Sequence, residues 1–458
     1  MRVVAGFVLL LVALDGGAVS PTHTWHSDSS RFADAAASDR HDSEAIIHDT
    51  PQSVAAVARL AWPLQPIAGF DQFNYNGVSN FVDHDARFPG FVEDYTCGTR
   101  TYDLASGYNH AGTDYFLWPY PWLMMDSQDI RVIAAAPGTI AFKNDGHFDR
   151  DCTLTGQTPP NEVDIQQDDG LRAIYLHFRS GSVTTQPLGA RVETGDYLGL
   201  VGSSGNSTAP HMHFELRDAS NAVVDPRSGM CNAVPDRWLV TQPYEDPKIV
   251  SLTTHSAEPA FVDCGVDANG NPVRETPNFK STFAPGDDLW VFAAWRDQRN
   301  GELTSFAIAR PDGSVFSSWT YDLASAGYPK PFYAGTGSDW QFTIPADAPQ
   351  GIWQLTAQFQ NATYTTPFNV AATASAPAIN LGGYLSGNWY NVDESGTGFQ
   401  LEFTSSGAVV AIWFTFEPSG GQPIWIYAQG AFDRSSNTMT LPASILTGAK
   451  FPPSYSVD

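Results

Sequence analysis

The stretch VGSSGNSTAPHMHFEL, Val201 to Leu216, sets two histidines one residue apart behind a turn rich in Gly, Ser and Pro. In an extended strand, residues i and i+2 project from the same face, about 7 Å apart at Cα. His211 and His213 would then stand side by side, able to share one ion or one substrate. Taken alone, the pair reads at least as well as two solvated histidines on a polar strand face. The other histidines decide between these readings.

Runs of the same β type surround the pair: VIAAAPGTIAF, EVDIQQ, LRAIYLHF and YLGLVG, punctuated by Gly and Pro. Few stretches carry a helical period, so residues 61–244 are expected to form a mostly antiparallel β domain. A second β unit is expected over residues 246–370, where LWVFAAW, SFAIARPDGSVFSSWTY and WQFTIPADAPQGIWQLTAQFQ alternate through PDG and PQG turns. Such short strands suit a β-sandwich of immunoglobulin or fibronectin-like type. Residues 371–380, AATASAPAIN, read as a linker, and residues 381–458 as a small third β module. Its Trp389, Tyr390, Trp413 and Trp425 fill a core or face outward to hold sugar rings, core packing being the commoner use. The whole chain reads as all-β.

The N-terminus, MRVVAGFVLLLVALDGGAVS, places Arg2 before an apolar run from Val3 to Leu14 and then small residues. This is the pattern of an export signal, with cleavage expected after Ala18. Residues 19–60 are polar and lack a hydrophobic period, as in a linker or pro-segment. No later segment is apolar enough for a membrane span. A formal net charge of -25 opposes nucleic acid and anionic membranes as partners, since both need clustered Lys and Arg. An even count of four cysteines in an exported chain points to disulfides. Three pairings are open, and chain proximity favours Cys97 with Cys152 and Cys231 with Cys264.

Chemistry gathers around the other histidines. In GYNHAGTDYF, His110 and Asp114 are four residues apart with Gly112 between them. A straight strand would part them by about 13 Å, so a Gly-permitted bend must bring them together. In AIYLHF, Tyr175 and His177 are expected on one strand face. His110, Asp114 and one of the His211/His213 pair would make a three-ligand zinc site with an open position for water. Two histidines would remain beside it to move protons or steady an oxyanion. No His-Glu-x-x-His occurs, which excludes a thermolysin-like helix, and GSSGNS does not match the Gly-x-Ser-x-Gly of a serine nucleophile.

Four segments between Asp71 and Arg217, NHAGTD, VIAAAPGTIAFKNDG, YLHFRSGSV and VETGDYLGLVGSSGNSTAPHMHFEL, together resemble the lysostaphin-like or LytM-type zinc metallopeptidases, which cleave peptides of bacterial cell wall peptidoglycan. The resemblance implies an antiparallel β-sheet with a groove over Zn2+. It implies zinc ligands His110, Asp114 and His213, and a catalytic pair His177 and His211. The implied function is a secreted or periplasmic endopeptidase, expected as a monomer, that hydrolyses peptidoglycan cross-links or glycine-rich peptides with a zinc-activated water. The alternative is an inactive LytM-like regulator that binds peptidoglycan and activates other wall hydrolases. Regulators of that kind lack some ligands, whereas all five positions are filled here. LASGYNH is longer than the compact loop common in the family, which leaves the groove wall and the choice of substrate open. Beyond Arg217 the resemblance ends, and the downstream regions are expected to place the enzyme on its insoluble substrate.

Overall fold

The structure, a computed structural model, describes residues 22–27, 58–154, 158–324, 326, 328, 330–372, 386–389, 397–403, 408–416, 423–431 and 441–445. The expected signal peptide, most of the 19–60 stretch and Tyr390 lie outside the described residues. The strands are β1 (His23–Ser27), β2 (Leu64–Pro66), β3 (Asn76–Asn80), β4 (Thr113–Leu117), β5 (Ile130–Ile133), β6 (Gly138–Asn144), β7 (Glu162–Gln167), β8 (Arg172–Leu176), β9 (Arg191–Val192), β10 (Tyr197–Leu200), β11 (His211–Arg217) and β12 (Lys248–His255). There follow β13 (Thr282–Phe283), β14 (Asp288–Arg299), β15 (Thr304–Ala309), β16 (Val315–Tyr321), β17 (Phe332–Thr343), β18 (Gly351–Phe359), β19 (Ala362–Val370), β20 (Gly387–Trp389), β21 (Gly398–Phe403), β22 (Ala408–Phe416), β23 (Pro423–Ala431) and β24 (Ala443–Ile445). Among the described residues the single α-helix is α1 (Pro121–Asp126), so the all-β reading holds.

A seven-stranded antiparallel sheet, ordered β3-β4-β11-β8-β7-β6-β9, carries the histidines. Strand alternation explains how. Met212, Phe214 and Leu216 of β11 are buried in an apolar core with Tyr115, Val163, Ala173 and Tyr175, to which β5 and β10 of a second small sheet add Val132 and Leu198. His211, His213 and Glu215 must therefore face the other side. A one-residue slip would put the histidines into this core and expose the apolar set, so burial of three large side chains, each worth about 1.5–3 kcal/mol, fixes the register.

Downstream, a four-stranded sheet (β1-β17-β14-β12) and a five-stranded sheet (β13-β19-β18-β15-β16) share a core that includes Trp295, Phe306, Trp319, Trp340 and Trp353. Part of the stretch read as a linker thus becomes an edge strand, with His23 opposite Asp339 of β17. A third core joins this two-sheet unit to the histidine-bearing sheet. It gathers Phe116, Trp118, Tyr120, Trp122 and Met125 from β4, α1 and the turn between them with Val250, Phe292, Ala294 and Ala334. The last sheet runs β20-β21-β22-β23-β24. Its Trp389, Trp413 and Trp425 are 47%, 38% and 56% exposed, against the expectation of core packing. No helix among the described residues is long and apolar enough to cross a membrane.

The disulfides differ from the pairing favoured by chain proximity. Cys97 bonds Cys231, and Cys152 bonds Cys264. Spatial neighbours decide: Cys231 N–H donates to Tyr95 O at 2.9 Å, two residues from Cys97, and Arg150 Nε donates to Gly265 O at 2.8 Å, beside Cys264. Peptide mapping without reduction should recover Cys97 linked to Cys231 and Cys152 linked to Cys264. Phe214→Ala should cost about 3–5 kcal/mol of stability in denaturant unfolding, because its ring lies wholly within the first core.

Candidate metal centre

One rung of the sheet assembles the site. Asn80 of β3 lies opposite Asp114 of β4, which lies opposite His213 of β11. Cross-strand partners share a face, so their side chains meet. His213 Nδ1 is 3.0 Å from Asp114 Oδ1, and Asn80 Nδ2 donates to Asp114 Oδ2 at 3.0 Å. His110 precedes β4 and reaches the same carboxylate through a bend at Gly112, as the sequence required. Its Nε2 stands 3.1 Å from Asp114 Oδ1 and 3.3 Å from His213 Nδ1. Space, not backbone conformation, demands glycine at the bend: a Cβ there would sit 2.5 Å from His213 Nε2 and 2.5 Å from Phe214 O.

The remaining nitrogens of the two rings are committed elsewhere. His110 Nδ1 donates to Phe81 O at 2.6 Å, which leaves Nε2 with a lone pair. His213 Nε2 donates to Glu215 Oε2 at 3.2 Å, which leaves Nδ1 with one. Burial pulls the Glu215 carboxyl upward, but the His213 hydrogen bond and the Arg217 guanidinium outweigh it and hold the group below the ordinary carboxylate range. Two imidazole lone pairs and a carboxylate oxygen therefore converge at His110, Asp114 and His213, each residue at 0% exposure. Three acceptors this close repel unless a cation lies among them, and a donor set of two nitrogens and one oxygen suits zinc.

His211 and His177 stand alongside, their ring centroids 4.5 Å apart. His211 Nδ1 donates to Ala209 O at 2.8 Å, while its Nε2 is 3.8 Å from Asp114 Oδ1. His177 departs from the sequence reading. Tyr175 faces the core, and simple alternation would send His177 after it. Instead β8 ends at Leu176, and His177 adopts φ 69°, a left-handed conformation uncommon for a side chain of its size. That turn swings its ring out of the alternation to meet His211, and Nδ1 donates to Ser204 O at 2.6 Å. All five sequence-selected residues are thus brought together.

Three neighbours escaped the sequence reading. Glu215 was legible, since the i+2 rule that pairs His211 with His213 extends to it. Asn80 comes from the separate strand β3, and Tyr102, whose ring stacks on His110 at 4.7 Å, from the loop just before His110, whose carbonyl there accepts from His110 N–H; neither carries a sequence signal. Two further carboxylates, Glu162 and Asp164, lie across β8 on the same face, opposite Leu176 and Ile174. Burial, then the neighbouring Asp164 charge, push the Glu162 carboxyl far up, and burial also raises Asp164.

Residues 123–226 match the model described as Peptidase family M23. The matched span includes His177, His211 and His213 and begins after His110 and Asp114. Glycyl-glycine endopeptidase ALE-1 of Staphylococcus capitis is 30% identical over 125 residues, which are 26% of this chain and 29% of that protein. DD-carboxypeptidase/endopeptidase Mpg of Neisseria meningitidis serogroup B is 33% identical over 109 residues, 24% of this chain and 20% of that protein. The chain therefore covers less than a third of the length of either relative. Among solved structures, the catalytic domain of a mutant of the prophage-encoded M23 protein EnpA from Enterococcus faecalis is 22% identical, with 38% of this chain and 96% of that chain covered and a TM-score of 0.22. The resemblance to LytM-type peptidases is borne out for this part of the chain, and it supports a peptidase.

The Glu162 shift makes stability depend on pH. A carboxyl whose folded pKa lies above its unfolded value binds more protons when folded, so its contribution is full below the unfolded pKa and is lost as pH rises through the folded one. Melting temperature should fall as pH rises from about 4.5 through neutrality. Glu162→Gln should flatten that slope, and an unchanged slope would contradict the assignment.

Proposed function

We propose that this chain is an exported zinc-dependent metalloendopeptidase that hydrolyses peptides of bacterial peptidoglycan. The observation that carries the reading is the convergence of His110 Nε2, Asp114 Oδ1 and His213 Nδ1 at 3.0–3.3 Å. Ligands bonded to zinc at about 2.0–2.1 Å in a tetrahedron are separated by about 3.3 Å, so the pocket already has the right edge length. Bound zinc would supply a water whose pKa is lowered to about 7, and a Lewis acid for the scissile carbonyl.

The chain's own groups do the rest. Glu215 orients His213 by accepting its Nε2 proton, and the Phe81 carbonyl does the same for His110, an arrangement that raises ligand basicity. His211 and His177 each donate from Nδ1 to a backbone carbonyl, the tautomer in which a neutral ring carries its lone pair on Nε2. Such a nitrogen accepts a proton from the attacking water and, once protonated, donates to the oxyanion or the leaving amine. Tyr102 holds the His110 ring by stacking.

Two similar proteins support the substrate class, one named a glycyl-glycine endopeptidase and the other a DD-carboxypeptidase/endopeptidase. The apolar N-terminus and two disulfides support export. A complete set of five residues argues against the inactive regulator.

Elemental analysis should find one zinc per chain. His213→Ala should lose it, whereas His211→Ala and His177→Ala should keep it while turnover falls by about 10² to 10⁴. Equal zinc loading of wild type and His213→Ala would remove the ligand assignment. Mass spectra of fragments released from sacculi with glycine bridges and from sacculi with direct diaminopimelate links should identify the bond. Zinc retained with no cleavage of either would favour the regulator.

A further inference from the structure

Strand β3 lies at the edge of the seven-stranded sheet and contributes Asn80 to the site. An edge strand leaves carbonyls without ladder partners. Here two guanidiniums take them: Arg296 Nη1 donates to Asn76 O at 3.1 Å, and Arg100 Nη2 donates to Val78 O. Arg296 belongs to β14. Arg100 in turn is held by Asp297 of β14 at 2.5 Å, with the side chains 5% and 6% exposed. The clamp on β3 is therefore built from the two-sheet unit.

Strand β4 is gripped from the same side. Phe116 stands opposite His211 in the ladder, and its buried ring occupies the space that a Cβ on Gly77 would need. Across the junction, a Cβ on Gly335 of β17 would lie 3.3 Å from both the Phe116 and the Trp118 rings. Trp118 Nε1 donates to Thr336 O at 3.3 Å, Leu123 N–H donates to Glu275 Oε2 at 3.0 Å, and the Cys152–Cys264 disulfide spans the two regions. Asp114 and Asn80 thus sit on the two strands that the downstream unit holds, and His211 sits against a ring that it covers.

We infer that the two-sheet unit, β1 with β12 to β19, is a positioning half of the peptidase site, and that the minimal catalytic unit extends to Val370. This rests on the metallopeptidase reading above. The sequence alone suggests an appended placement module, but a tether would need a linker and a polar junction, where the chain has a shared aromatic core. Metal and proton-transfer groups work only within about 0.5 Å of their productive geometry, so losing the support should disturb the centre even on a substrate too small to need placement.

Two substitutions in the full chain test this. Asp297→Asn removes the charge that holds Arg100 while tolerating the φ of 51° at that position. Gly335→Val drives methyl groups against Phe116 and Trp118. Trp353→Phe, in the core of the two-sheet unit, serves as a control for lost stability. Both junction variants should weaken zinc binding about 10- to 100-fold in chelator competition, the range found when groups supporting metal ligands are altered. They should lower kcat on a short soluble peptide at least about tenfold with KM little changed. In the metal-free protein, amide exchange should quicken across residues 76–80 and 113–117. The control should lower Tm yet leave zinc affinity, kcat and exchange in those strands as in the wild type. Junction variants that melt cooperatively and keep wild-type zinc affinity, kcat and exchange overturn the inference, as does a control that loses as much as they do. Should Gly335→Val not fold, Gly335→Ala gives the graded version. A wild type that binds no zinc refutes the metallopeptidase reading, and the exchange experiment on metal-free protein still decides the coupling.

Discussion

Everything in this molecule is arranged around one unfavourable encounter: two imidazole lone pairs and a carboxylate oxygen held within 3.3 Å of one another, out of contact with solvent. Left to themselves, such acceptors would separate and hydrate. They are kept together because Asp114 and His213 are directly opposed in an antiparallel ladder, and ladder register is not negotiable residue by residue. Moving either side chain away means moving Met212 or Tyr115 out of the core on the other face. Apolar burial on one side of the sheet thus holds a polar convergence on the other.

This division explains what could be read in the sequence. His211 and His213 were legible because period-two alternation is local, and the same rule extends to Glu215. His110 and Asp114 were legible because a glycine between them implied the bend that a straight strand forbids. His177 was selected as a residue but placed on the wrong face, since its left-handed backbone breaks the alternation on which such a reading depends. The disulfides were misjudged for a related reason. Chain proximity estimates loop closure, whereas the fold brings Tyr95 beside Cys231 and Arg150 beside Gly265 from far along the chain. Asn80, on a separate strand, had no local signature at all. Non-local contact is what a period cannot encode.

Charge is layered on the site face as carefully as geometry. Glu215 stays ionised because His213 and Arg217 surround it, and it can therefore hold the His213 proton. On the far side of β8, Glu162 is driven toward its neutral form by burial and by Asp164. Two carboxylates on one sheet face are in this way kept in opposite states by their surroundings, which limits the negative charge facing the centre in a chain whose formal net charge is -25.

Burial also raises the stakes of the encounter. In a low-dielectric interior both the repulsion among converging acceptors and their attraction to a cation are larger than in water. A site of this kind is therefore most strained when empty, and its support has to come from outside the local strands. The seven-stranded sheet supplies that support on the β8 and β11 side through its own core. On the β3 side it ends at an edge, where no further ladder exists. There the guanidiniums of Arg100 and Arg296, the Asp297 that fixes the first of them, and the ring contacts of Phe116 and Trp118 stand in for the missing strand. An edge that would otherwise be the weakest part of the sheet carries Asn80 and adjoins Asp114. It is there that the downstream sheets are packed.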